Sequence, residues 1–212
     1  MNWKKRLFKE SSLYVILDKD TCKNIFKVAV KIRDSGLNIV QLREKNTAKK
    51  AILKDARRLK SLFGNGQGVL IMNDHADIAK LIKADGVHLG QDDLPIKEAR
   101  KILGKDKIIG ISCHSLRQAL VAQKNGADYI GIGPVFKTPT KPGLKPIGLG
   151  ALKSINKKIR IPAFAIGGIN KGNLSRVLSA GVSKIAVCRQ ICSVKDVPGS
   201  IKKIKGILND AN

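Results

Sequence analysis

Residues 108–132 read IIGISCHSLRQALVAQKNGADYIGI, and the fold is decided here. The stretch opens with an apolar run, Ile108 to Ile111, and continues through Leu116 to Lys124 with helical spacing. It stops at Asn125-Gly126 and resumes as a second apolar run, Tyr129 to Ile132. A strand that is apolar throughout must be covered on both faces, so two such strands joined by a helix read as a parallel pair with a crossover. Ser115 stands where a helix N-cap is expected, and Asn125-Gly126 where the helix must end.

The same unit recurs in both directions along the chain. Leu13–Leu17, Ile39–Leu42, Val69–Met72 and Val87–Leu89 are earlier runs of the same kind, and Ala163–Ile166 and Ile185–Val187 follow, making eight in all. Between them lie helical segments such as Thr47–Phe63, apolar at Ile52, Ala56, Leu59 and Phe63, and Asn170–Ser179 before Gly181. Eight βα units without an intervening linker favour a closed (β/α)8 TIM barrel of the α/β class over an open doubly wound sheet. The expected organisation is one catalytic domain over residues 1–212, with residues 1–12 an extra helix closing the barrel bottom. At 212 residues the chain is short for this architecture, typically about 250 residues, so its loops must be brief.

Composition narrows the class further. The chain is 43% hydrophobic and 4% aromatic, and its apolar stretches are strand-sized, which excludes both disorder and a membrane-spanning helix. The basic start, Met1 to Lys9, is followed by no apolar signal segment, so a cytoplasmic location is expected. Cys22, Cys113, Cys188 and Cys192 are too few and too irregularly spaced for a disulfide scaffold; the expectation is free, buried thiols in a reducing compartment. The net charge of +25 attracts anions of any kind. Its lysines are scattered, however, without the interleaved aromatics that stack on single strands, so lysine bias on solvated faces outweighs a nucleic-acid partner. A basic nucleic-acid-binding barrel remains the reading from another class, recognisable by steep salt dependence.

Barrel chemistry sits where strands end and loops begin. After the second run comes Gln41-Leu42-Arg43-Glu44-Lys45, whose alternation turns Gln41 and Arg43 into the barrel mouth with Lys45 just beyond. Arginine forks and lysine point charges suit a diphosphate; alternatively, Arg43 pairs with Glu44 or another barrel carboxylate. The third run ends in Asn73-Asp74-His75 and the fourth in His88-Leu89-Gly90-Gln91-Asp92-Asp93. Two carboxylates from adjacent strand ends suit Mg2+ shared with substrate phosphates, and helix capping is the plainer role for Asp74 and Asp93. His75 and His88 have no zinc-site spacing and read as structural or substrate-packing residues. Ser112 is placed to donate to a ligand, and Ser115 to cap the next helix. The loop Lys137-Thr138-Pro139-Thr140-Lys141-Pro142-Gly143 brings hydroxyls and lysines that suit a phosphorylated ligand, or else forms a solvated basic loop. Gly167-Gly168, with Cys188-Arg189, marks the phosphate-binding end common to many such barrels.

Together these residues resemble the thiamin phosphate synthase (thiamin-phosphate pyrophosphorylase) family, from about Tyr14 to Cys192. The resemblance implies a transferase that joins 4-amino-2-methyl-5-(diphosphooxymethyl)pyrimidine to 4-methyl-5-(2-phosphooxyethyl)thiazole, releasing diphosphate, with Mg2+ as cofactor. It further implies that Gln41, Leu42, Arg43, Glu44, Lys45, Asn73, Ser112 and Lys141 surround the pyrimidine diphosphate, with Arg43, Lys45, Ser112 and Lys141 catalytic, and that Asp74 and Asp93 hold the metal. Thr138, Pro139, Thr140, Gly168, Cys188 and Arg189 fall on the thiazole phosphate side. Cys188-Arg189 departs from the pattern, since many relatives carry small residues such as serine there. The rival within thiamin biosynthesis is a thiazole tautomerase, which resembles the synthase but usually lacks the complete diphosphate and metal set. The partners so implied are small phosphorylated molecules, with no nucleic acid and no membrane; the oligomeric state is not legible.

Overall fold

The computed structural model describes residues 2–64, 66, 68–141 and 143–210. Its strands are β1 (Leu13–Asp18), β2 (Ile39–Arg43), β3 (Val69–Asn73), β4 (Gly86–Leu89), β5 (Ile108–Cys113), β6 (Tyr129–Ile132), β7 (Ala163–Ile166) and β8 (Ile185–Val187). Every neighbouring pair is parallel and β1 pairs with β8, so the sheet closes as an eight-stranded barrel. The helices are α1 (Trp3–Glu10), α2 (Ile25–Asp34), α3 (Lys49–Phe63), α4 (Ala76–Leu81), α5 (Ile96–Leu103), α6 (Leu116–Lys124), α7 (Gly148–Lys158), α8 (Leu174–Ser179), α9 (Arg189–Cys192) and α10 (Val197–Asn209). The expected runs and the TIM-barrel class are thus observed.

Alternation along each strand sorts the core into two layers. Val15, Leu17, Val40, Leu42, Leu70 and Met72 face outward and pack beneath the helices, which cover them with Ile32, Ile52, Leu59 and Val177. Tyr14, Ile39, Val69, Ile71, Ile108, Tyr129 and Phe164 face inward and fill the barrel axis. Gly110 is required there, because a Cβ at that position would strike the Tyr129 ring. Phe8 of α1 enters from below and packs against Tyr129 at a ring-centroid distance of 4.3 Å and against Phe164 at 5.2 Å. Lys4 pairs with the buried Asp85 and Lys5 with Asp128, at 2.8 Å for the latter, so α1 is fastened to the bottom by both apolar and ionic contacts. Met1, at the start of the expected extra helix, lies outside the described residues, as do Ala211 and Asn212.

Three local expectations are corrected. The helix read over Asn170–Ser179 begins only at Leu174. Asn170 Oδ1 accepts the Gly172 N–H and Asn173 Oδ1 accepts the Asn170 N–H, so side chains take over the backbone donors and form turns instead of a helical start. Similarly, α3 starts at Lys49 and not at Thr47, because the loop after β2 is still extended at Ala48. Finally, Cys22 and Cys192 are not free thiols but form a disulfide, 170 residues apart in sequence. Cys22 follows β1 and Cys192 ends α9 after β8, so closure of the barrel makes the two ends neighbours. Cys113 and Cys188 are the free cysteines among the described residues.

Candidate active site

Gln41 and Arg43 point inward from β2, as alternation requires, and both line a cavity of about 290 Å³ at the C-terminal mouth of the barrel. Arg43 is register-paired with Asp18 at the end of β1, and its guanidinium donates to that buried carboxylate. The carboxylate partner foreseen for Arg43 therefore exists, but it is Asp18 and not Glu44. Leu42 and Glu44 point the other way. Leu42 is part of the outer core, and Glu44 is buried behind β2 with Lys19 Nζ 3.8 Å away, so neither side chain reaches the cavity. Burial, partly offset by Lys19, raises the Glu44 carboxyl above its usual range.

Asp74 and Asp93 come together from the ends of β3 and β4. Asp74 occupies left-handed backbone space at φ 62°, a conformation tolerated by few residues other than glycine. Its carboxylate lies 3.2 Å from Lys45 Nζ. Neither aspartate caps a helix: the N-cap positions of α4 and α5 are His75 and Pro95, without side-chain caps. Burial and the facing Asp93 raise the pKa of Asp74. Burial also opposes ionisation of Asp93, but hydrogen bonds with Asp74 and the Gly90 N–H, together with Lys45 and Lys141, hold it below its usual value. Two facing carboxyls at a polar rim, with no third carboxylate, imidazole or thiol joining them among the described residues, leave room in a cation's shell for phosphate oxygens and water. The donor set fits Mg2+ better than zinc. Asp92 is exposed and stays outside this pair.

Asn73, His88 and Ser112 line the floor of the cavity. Burial drops the His88 pKa to about 3, so the ring is neutral, with Ser112 Oγ 3.0 Å from its Nε2. Ser115 caps α6 by accepting the Gln118 N–H. The loop after β6 forms one wall through Lys137, Thr138, Pro139, Thr140 and Lys141; Pro142 lies outside the described residues. Lys141 is held below the usual lysine range by burial, then by the cations Arg43 and Lys45.

The adjoining wall is made by Gly167, Gly168, Cys188 and Arg189, with the Phe136 N–H of the loop after β6 donating to the Gly167 carbonyl. The two glycines have φ of 95° and 66°, and a Cβ on either would strike Pro134 or Phe136 of the facing loop. Their presence brings bare backbone to the cavity. Burial pushes the Cys188 thiol up to about 11, which makes it a lining group and not a nucleophile at neutral pH.

Sequence reading missed four polar contributors: His114, Asn170 and Gln190, which line the cavity, and Asp18, which holds Arg43. Asp18 follows the apolar run Leu13–Leu17 and has the signal used elsewhere, a carboxylate at a strand end. His114 contacts the Gly133 carbonyl through Nδ1, tying β5 to the start of the loop after β6. Gln190 keeps a buried Oε1 without a hydrogen-bond partner among the described residues.

A family model described as thiamine monophosphate synthase matches residues 13–191. The thiamine-phosphate synthase of Shouchella clausii is 42% identical over 191 residues, covering 90% of this chain and 91% of the relative. That of Clostridium novyi is 45% identical over 199 residues, covering 92% and 97%. Among solved structures, the thiamine phosphate pyrophosphorylase from Pyrococcus furiosus superposes with a TM-score of 0.87 at 35% identity, over 99% of both chains. Barrel closure, a strand-end site and similarity along nearly the whole length agree, and the chain belongs to the thiamine monophosphate synthase family.

Proposed function

We propose that this chain is a transferase that couples 4-amino-2-methyl-5-(diphosphooxymethyl)pyrimidine to 4-methyl-5-(2-phosphooxyethyl)thiazole, forming thiamin phosphate and diphosphate. The observation that carries this reading is the mutual placement of Arg43, Lys45, Asp74, Asp93 and Lys141, drawn from the ends of β2, β3 and β4 and the loop after β6, and close enough for their charges to shift the ionisation of Asp74, Asp93 and Lys141. A diphosphate is the ligand such a mixed ring of cations and carboxylates suits. A thiazole tautomerase has no use for it.

In this reading Asp74 and Asp93 would hold Mg2+, which supplies positive charge to the departing diphosphate. Arg43, Lys45 and Lys141 bind the same group and stabilise the negative charge that grows as the methylene–oxygen bond breaks. Gln41, Asn73 and Ser112 orient the pyrimidine ring. Thr138, Thr140, Gly168, Cys188 and Arg189 bind the thiazole phosphate so that the ring nitrogen faces the methylene carbon, and the new C–N bond forms there. Holding two substrates in line supplies much of the remaining acceleration, and no protein nucleophile is needed. Substrates filling the cavity would displace water, which would otherwise capture the pyrimidine cation.

One domain spanning residues 1–212 and action on small phosphorylated molecules complete the proposal. No helix among the described residues is long and apolar enough to cross a membrane. Phosphorylated substrates do not diffuse across bilayers, so we propose the cytoplasm as the setting, where the Cys22–Cys192 bridge has to persist against cellular reductants.

The test mixes purified protein with both substrates and Mg2+ and measures thiamin phosphate and diphosphate, with a chelator control. Product that vanishes with the metal is expected. A folded protein giving no product would overturn the synthase reading in favour of the tautomerase. In Asp93→Ala, turnover should fall about a hundredfold or more with the fold intact; unchanged turnover sinks the metal role of that residue.

A further inference from the structure

Beneath the cavity floor, a buried chain of hydrogen bonds joins two residues on the pyrimidine side. Gln41 Nε2 donates to the Tyr14 hydroxyl. The Tyr14 and Tyr129 hydroxyls are 3.3 Å apart, the Tyr129 hydroxyl is 2.8 Å from His88 Nδ1, and His88 Nε2 is 3.0 Å from Ser112 Oγ. The links come from β2, β1, β6, β4 and β5 in turn, so the chain crosses the barrel interior. Tyr14 and Tyr129 are fully enclosed and line no part of the cavity, whereas Gln41, His88 and Ser112 do.

The chain has a direction. A buried hydroxyl has one proton and must donate it, because an unmet donor away from water is costly. Gln41 presents a donor to the Tyr14 oxygen, and the Tyr129 oxygen is the acceptor left beside it among the described residues, so the Tyr14 proton goes to Tyr129. The Tyr129 proton then goes to His88 Nδ1. A neutral imidazole has one donor and one acceptor nitrogen, so the ring proton sits on Nε2 and is donated to Ser112 Oγ. The Ser112 hydroxyl is left to donate onward into the cavity. At the other end, the Gln41 amide has its nitrogen drawn inward, which leaves the carbonyl oxygen to accept.

We infer that this chain sets the polarity of the pyrimidine pocket, and that Tyr14, Tyr129 and His88 act as positioning residues that select a 4-aminopyrimidine edge over a 4-oxopyrimidine edge. The inference rests on the pyrimidine reading proposed above. A 4-aminopyrimidine offers an amino donor beside a ring-nitrogen acceptor, matching the Gln41 acceptor and the Ser112 donor. Its 4-oxo counterpart offers a carbonyl acceptor beside a ring N–H, so like would face like at both ends. Rejection by unmatched buried polar groups is the strongest form of discrimination available to a binding site.

The measurement has two arms. Nitrogen NMR of histidine-labelled wild-type protein reads the His88 tautomer without any ligand: protonated Nε2 and bare Nδ1 are expected, and the opposite tautomer overturns the inference. Calorimetry with the 4-amino and 4-oxo forms of the pyrimidine methyl monophosphate reads the selectivity. Wild type should prefer the amino form by about a hundredfold or more. Tyr129→Phe, which removes the middle hydroxyl, should reduce that preference by about tenfold. Tyr14→Phe, which spares the bond between Tyr129 and His88, should act in the same direction. A preference unchanged in both folded variants overturns the inference, since a merely structural role alters melting and not the ratio. Wild type that binds neither form defeats the functional reading itself, and the tautomer then decides the polarity alone.

Discussion

Arg43 faces the cavity while its guanidinium is held by Asp18, whose side chain is only 1% exposed. The pairing keeps a cation ready at the barrel mouth without leaving it bare. In Asp18→Asn the positive charge loses its buried partner, which should cost about 3 kcal/mol, toward the lower end for a broken buried pair because Arg43 retains a path to solvent. Added diphosphate would supply the missing negative charge. Thermal unfolding should therefore show a larger diphosphate-induced rise in Tm for the variant than for wild type; equal rises would show that Arg43 does not meet the diphosphate. His88 gives a pH prediction at the same scale. Its native pKa of about 3 lies below the ordinary 6.5. As pH falls through 6.5 the unfolded chain takes up a proton that the native ring refuses. Stability from this residue is thus complete above pH 6.5 and lost on the way down to about 3, by about 1.4 kcal/mol per pH unit. Urea midpoints between pH 7 and 5 should fall more steeply in wild type than in His88→Asn, and parallel slopes would refute the buried neutral ring.

Each barrel strand carries two instructions, one from each face, and α1 shows what happens where the barrel would otherwise be open. Phe8 fills the bottom against Tyr14, Tyr129 and Phe164. Phe8→Ala should cost about 3–5 kcal/mol, the range for emptying a buried aromatic site, and denaturant melts would register it. A change within about 1 kcal/mol, the scale of an ordinary surface substitution, would mean that α1 is an appendage. The strands were legible because an apolar run bounded by turn residues has few other uses, and their ends located most of the cavity for the same reason. Alternation also predicts where motif reasoning overreached: Leu42 and Glu44 sit between cavity residues in sequence, and the pleat turns them to the outer layer. Asp18 escaped notice because it closes a run of five apolar residues and looks like a strand terminus until its β2 neighbour, Arg43, is known. The start of α8 was illegible because Asn170 and Asn173 compete for the backbone through side-chain contacts that spacing does not encode.

At the scale of the molecule, closure is the feature that sequence spacing hides, since it makes the first and last βα units neighbours. The Cys22–Cys192 disulfide exists only because β1 pairs with β8, and no pattern along the chain marks two cysteines 170 residues apart as partners. It ties the turn after β1 to α9, and α9 begins at Arg189, which lines the cavity. One covalent link thus spans the barrel seam and steadies one side of the active site. A cross-link across so long a loop removes much of the unfolded chain's freedom, about 5 kcal/mol in the chain-entropy account. Denatured, unreduced protein should therefore titrate with two thiols, Cys113 and Cys188, of the four cysteines in the chain. Reductant should lower the melting temperature of wild type and leave Cys22→Ser/Cys192→Ser unchanged. Because Arg189 lies three positions before Cys192, the double variant should also bind the thiazole phosphate more weakly, while the pyrimidine side, held by β2, β3 and β4, keeps its affinity. Four titratable thiols would remove the link altogether. Two thiols with equal weakening on both sides would mean that the bridge supports the whole barrel and has no local effect on α9.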